Sequence, residues 1–231
     1  MQGEIEAAKE ILIEGRVKGQ KTVTKITDNQ SMNKDNFEIG IEKVENEISG
    51  VKKGNPMTFD EADKGNPNPH YEAFTATGDN CQACVPAFMA RLNGFDVMAK
   101  PFDESNEIIT KLSENTSLAW IDKLTGTFPE YIKPKKDYVP LLLDWFKENI
   151  ADNTYYSFEY YRKYTADGHV MVAFKEKGNF VLYDPQSNEF YRNDAVSLLL
   201  YTVRRKTIKL LNISNCNLNK SVLDYVVEAR I

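Results

Sequence analysis

Residues 78–97 read GDNCQACVPAFMARLNGFDV. Two cysteines, Cys81 and Cys84, stand three positions apart, behind a turn signal and ahead of an apolar run. Val85, Phe88, Met89 and Leu92 recur at helical spacing, which gives the run one apolar face. It stops at Asn93-Gly94, a pair suited to a helix C-terminus. The spacing predicts a helix that packs into a core and carries cysteine sulfur at its N-terminal end. Three chemistries can start this way: half a zinc site, a redox pair, or a nucleophile.

The rest of the chain weighs them unequally. A structural zinc site needs two further ligands, usually paired. Only Cys216, His70 and His169 remain, and none stands next to another. A redox CxxC sits inside a βαβ pattern, whereas here a proline-rich loop over residues 51–79 comes first. A nucleophile needs a positive environment and a base. The N-terminus of a helix supplies the first, and Asp79 and Asn80 are residues of the capping type. His169 can supply the second. It opens GHVMVAFKEKGNFVLYDPQ, which reads as two strands around a KEKGN turn. Such a hairpin brings Asp184 back to the end where His169 lies, and a catalytic imidazole needs a carboxylate or amide to orient it. The spacing therefore allows a Cys81, His169, Asp184 set. A plainer reading stays open, in which the histidine is merely packed and DPQ merely ends a strand.

Composition narrows the class. The chain has 231 residues, 42% of them apolar, enough for one large domain or a domain with an accessory segment. A net charge of −5 offers no basic excess for nucleic acid. No apolar run reaches the roughly 18 residues of a membrane span, and MQGEIEAAKEILIEG has no signal-peptide core. Three cysteines do not make a disulfide framework. Residues 1–50 are charged and read as an N-terminal extension, with a helix at EIEAAKEILIEGRVKG and a strand at TVTKIT. NFEIGIEKVENEIS fits strand or helix. Residues 51–231 read as the main domain. It begins with a helical turn at TFDEAD, where Thr58 and Glu61 stand in capping-box position. Helices are expected at ESNEIITKLSEN and DYVPLLLDWFKENI, and strands at FDVMAKP and YYSFEYYRKY. VSLLLYTV fits helix or strand. TIKLLNIS is expected as the last strand and NKSVLDYVVEAR as a last helix. Helices early and strands late predict an α+β fold.

Several motifs together carry a resemblance. NCQACVPAFMARLNGFDVMAKP resembles the NC-x-x-C…R-x-x-G-[YF]-x-V signature of papain-fold toxin domains, the Tox-PL group of glutamine deamidases and peptidases. MTFDEADKGNPNPHY is similar to the EADxGxxNPNY lead-in of members attached to phage minor head proteins. AWID-x-x-TG-x-x-PEYI, GHVMVAFKEKGNFVLYDPQS and TIKLLNISNCNLN resemble further blocks of the group, in order, from about residue 55 to 225. The resemblance implies a papain-like cysteine hydrolase fold, with the nucleophile helix packed on an antiparallel sheet. It implies Cys81 as nucleophile, His169 as base and Asp184 as orienting acid, with Gln186 accompanying the site. It implies a protein substrate, no metal or organic cofactor, and a setting as a delivered effector, a phage virion protein or part of a larger phage or toxin polypeptide. In a catalytically silent copy the fold alone would serve as a phage head accessory or an injected structural protein. The oxyanion hole of such sites combines the nucleophile's N–H with a side-chain amide, which Asn80 or Gln82 can offer. Two departures stand out. Pro86 sits where relatives carry a helix former, so the helix is expected to start nearer Cys84 or to kink. That keeps Cys84, otherwise a packed second cysteine, as an alternative nucleophile. His70 replaces the second asparagine of NPNY and reads as a loop residue without a role.

Overall fold

The computed structural model describes residues 38–64, 67–165 and 167–230. The expected helix EIEAAKEILIEGRVKG and strand TVTKIT lie outside them. The described residues belong to a unit that begins at Glu38, ahead of the boundary expected at 51. Of NFEIGIEKVENEIS, the described residues 38–49 form a bridge, Lys43 to Asn219, and the short strand β1 (Glu47–Ile48), antiparallel to β2 (Val51–Lys52). It is tied to the far end of the chain: Val44 N donates to Leu218 O at 3.0 Å and Ser49 Oγ to Val227 O at 2.9 Å.

Helix α1 (Phe59–Lys64) starts with the expected capping box. Thr58 N donates to Glu61 Oε2 at 2.8 Å, and Glu61 N donates back to Thr58 Oγ1 at 3.3 Å. Then come α2 (Cys81–Leu92), β3 (Val97–Ala99), α3 (Glu107–Glu114), β4 (Trp120–Asp122) and α4 (Val139–Asn149). Asn106 caps α3 through its side chain, and Pro140 sits in the first turn of α4, where no amide is needed. A strand-rich half follows: β5 (Tyr156–Tyr161), β6 (Gly168–Glu176), β7 (Asn179–Asp184) and β8 (Glu189–Arg192). After these come α5 (Asp194–Thr202), β9 (Lys209–Asn212), β10 (Cys216–Leu218), α6 (Lys220–Val226) and β11 (Val227–Ala229). VSLLLYTV thus resolves as helix. TIKLLNIS is not the last strand, because β10 pairs with β4 and β11 with β3. The final helix stops at Val226, where pairing with β3 takes over VEA and overrides its helical pattern.

Five antiparallel strands, in the order β8-β7-β6-β5-β9, make the main sheet. Lys177 and Gly178 turn the β6–β7 hairpin with φ of 52° and 79°, the left-handed pair a type I′ turn requires. Strand alternation splits the core into two layers. Val170 and Val172 of β6 pack in the layer of α2, while Met171 and Ala173 pack in the layer of α4 and α5. The α+β expectation holds, with α2 packed against the sheet.

Every residue of α2 from Gln82 to Arg91 is buried. That explains a departure from expectation: α2 runs unbroken from Cys81 to Leu92 with Pro86 inside it, and does not begin near Cys84. The proline costs about 3 kcal/mol and leaves the Gln82 carbonyl without its i+4 amide. Burial of Val85, Phe88 and Met89 contributes about 1.5–3 kcal/mol each and outweighs it. Gly94 ends the helix at φ 98°, and a Cβ there would lie 2.5 Å from the Gly54 carbonyl oxygen. Gly94→Ala should therefore lower stability by about 2 kcal/mol or more, read as a shift in the urea midpoint.

Candidate active site

Cys81 is the first residue of α2. The first amides of a helix lack intrahelical acceptors, and the aligned peptide dipoles make that end positive. Asn80 closes the helix with its backbone: its carbonyl accepts from Ala83 N at 2.8 Å and Cys84 N at 3.2 Å. Cys81 is half-buried and lines a cleft of about 460 Å³, together with Gln82, Tyr160, His169 and Lys209. A cavity of about 470 Å³ opens elsewhere, beside Phe59, Asp63 and Phe190, and no cysteine or histidine lines it.

The hairpin delivers the other two groups. His169 Nε2 and Asp184 Oδ2 lie 2.7 Å apart, both buried. With Nε2 committed to Asp184, Nδ1 is the ring nitrogen left for Cys81. Burial opposes a charged imidazole, but the Asp184 carboxylate and the negative charge of Cys81 outweigh it and push His169 up to about 10. Burial alone would also raise Asp184. The His169 charge and hydrogen bond, with the Gln186 N–H at 2.9 Å from Oδ1, instead hold the carboxyl below its usual range. Tyr160, opposite His169 across the β5–β6 ladder, stacks edge-on against the imidazole with centroids 5.7 Å apart.

The remaining cysteines have different surroundings. Cys84 is fully buried, its sulfur 3.2 Å from both Asn80 O and Asn80 Oδ1. Burial first, then the charges of Cys81 and Asp184, raise its thiol well above the ordinary value. Cys216 lies on β10 and is pushed up to about 12, by burial and then by Asp122. His70 stands exposed in a turn outside the cleft lining.

A buried amide network joins the loop, the helix and the hairpin. Asn80 Nδ2 donates to Asn68 Oδ1 at 3.1 Å and to Lys100 O at 3.0 Å. Its Oδ1 accepts from Gln186 Nε2 at 3.3 Å, and Asn68 Nδ2 donates to the Gln186 carbonyl at 3.0 Å. Asn80 therefore spends its amide hydrogens inside the protein. Gln82 does not: it is 3% exposed, its Oε1 lies 3.8 Å from the Cys81 sulfur, and its Nε2 has no partner. Gln186 supports the site through Asn80 and through its own N–H on Asp184.

Sequence reasoning passed over Asn68, although NPNPHY held it in view. It also passed over Glu159, a carboxylate set among aromatic residues in YYSFEYY, which was its signal. Glu159 is buried, accepts hydrogen bonds from Thr116 and from Ser157 at 3.3 Å, and pairs with Lys209 at 2.9 Å along the cleft wall. Among the described residues no group of three or more His, Cys, Asp or Glu side chains could hold a metal ion, and no helix is long and apolar enough to cross a membrane.

Residues 79–189, from the turn before Cys81 to the first residue of β8, match the family model described as papain fold toxin 1, glutamine deamidase. The match spans the helix and both strands of the hairpin, and the α+β fold is papain-like. No curated protein matches the chain.

Proposed function

We propose, from the match of residues 79–189 to the papain-fold toxin family of glutamine deamidases, that this protein hydrolyses the side-chain amide of glutamine in a protein substrate. The observation that carries the reading is the buried His169–Asp184 pair, 2.7 Å apart, whose imidazole lines the same cleft as a cysteine at a helix N-terminus.

The Cys81 thiolate attacks the amide carbon, and the carbonyl oxygen takes up the negative charge. The Cys81 N–H, unpaired at the helix start, and the Gln82 amide receive that charge. His169 gives its proton to the departing nitrogen, ammonia leaves, and a thioester remains. Water then loses a proton to His169 and attacks the thioester. Glutamate forms and the thiolate returns. Asp184 keeps the ring oriented and stabilises its charged form.

The setting we propose is a delivered toxin or a phage-associated polypeptide. It rests on the likeness of MTFDEADKGNPNPHY to the lead-in of phage-linked members. The test is incubation with glutamine-containing peptides and proteins, with ammonia release measured and products mapped by mass spectrometry. Glutamate in an unbroken chain is the expected product. Cleaved peptide bonds would make the enzyme a peptidase and overturn the deamidase reading. Gln82→Ala should lower kcat by about a hundredfold. Alkylation of Cys81, which builds no oxyanion, should change far less in that variant. Equal losses in both would assign Gln82 a packing role.

A further inference from the structure

The cleft around Cys81 has more carboxylates on its wall than cations. Of the lining groups, Glu159 is matched by Lys209, and His169 by Asp184 outside the lining. Asp79, Glu114 and Asp167 also line it, all exposed, and none has an ion-pair partner among the described residues. They come from separate segments: the turn before α2, the end of α3 and the entry to β6. The lip is therefore acidic on several sides. The same cleft carries an independent mark of a ligand: Gln82 lines it with Oε1 3.8 Å from the Cys81 sulfur, and its Nε2 is buried without an acceptor. Buried donors are nearly always satisfied, so an acceptor on a bound molecule completes this one.

Building on the deamidase reading of this site, we propose that the cleft selects glutamines carried on lysine- or arginine-rich segments. Gln82 receives the oxygen of the substrate amide, and Asp79, Glu114 and Asp167 receive the cationic neighbours. Single exposed charges are weak and screened by salt. A concavity lined by one sign concentrates the opposite sign and raises association by about tenfold or more.

Small charged thiol reagents test this without turnover. The protein is treated with cationic trimethylammonium-ethyl methanethiosulfonate and with its anionic sulfonatoethyl counterpart. Labelling of Cys81 is followed by mass spectrometry, and each rate is divided by that reagent's rate with a free small thiol. The cationic reagent should react about tenfold faster at low salt. The ratio should fall toward one in about 1 M salt and in the Asp79→Asn/Glu114→Gln/Asp167→Asn variant. A ratio near one in the unmodified protein, or one that survives neutralisation, overturns the proposal. In a second arm, glutamine peptides flanked by lysines or by glutamates compete with neutral iodoacetamide for Cys81. Protection by the lysine-flanked peptide at lower concentration is expected, and equal protection overturns the proposal. Ammonia release is scored separately: its absence with both peptides counts against deamidation, while the two labelling readouts still decide the charge preference.

Discussion

Iodoacetamide at pH 7 is expected to modify Cys81 and to spare Cys84 and Cys216, and Cys81→Ala to abolish turnover. The three thiols differ in access and in charge environment. Cys84 is fully buried against Asn80, and burial raises its thiol well above the ordinary range. Cys216 is pushed up to about 12, so its thiolate fraction at pH 7 is on the order of 10⁻⁵. Cys81 opens on the cleft beside an imidazole that stays protonated until about pH 10. His169→Ala removes that cation and should slow labelling of Cys81 most at pH 6, where a thiolate depends most on it. Loss of the nucleophile should lower kcat by about 10⁴-fold or more, since the members of such a set act as a unit. Peptide mapping of the labelled protein checks the first part, and ammonia release by a variant with an unchanged urea midpoint checks the second. Labelling at Cys84 would move the nucleophile one helical turn. Retained turnover in Cys81→Ala would remove the mechanism altogether.

How far the sequence could be read depended on whether local spacing or distant pairing set each feature. The KEKGN turn dictates a two-strand hairpin, and a hairpin returns Asp184 to the end that holds His169. That geometry is local, and 2.7 Å between the two groups is its outcome. The position of Cys81 against them is not local: it depends on the layer in which α2 packs, and only the ordered motifs suggested it. Pro86 misled because helix propensity counts the lost amide and not the burial around it. The same limit applies to VEA, whose helical pattern gives way to pairing with β3 far back in the chain. Asn68 and Asn80 show a further boundary. Their sequence reads as loop and cap, yet both side chains face inward and tie the start of α2 to Gln186. An asparagine in a loop does not reveal which distant carbonyl it will meet.

Asp184→Asn should lower kcat by about 10⁴-fold while leaving the fold in place. An amide in that position presents an N–H as readily as an oxygen. Where it donates to Nε2, the ring proton moves to Nδ1, the nitrogen that faces Cys81, and His169 can no longer accept a proton from it. The same pair sets a pH profile for stability. His169 rises from an ordinary 6.5 to about 10 on folding, so its contribution is complete below about pH 6.5 and is lost as pH climbs through about 10. Asp184 is lowered, so its contribution is present above the ordinary carboxyl value of about 4 and is lost as pH falls through the folded value. The two windows overlap between about pH 4 and 6.5, where the pair is worth most. In Cys81→Ala, where no neighbouring thiol exchanges a proton, urea midpoints should therefore decline from pH 6.5 to 10, with a loss on the order of 2–4 kcal/mol. In His169→Asn, which has no imidazole to titrate, that alkaline decline should flatten. Equal stability at pH 6 and pH 9.5 in Cys81→Ala would mean that His169 is neutral in that folded state.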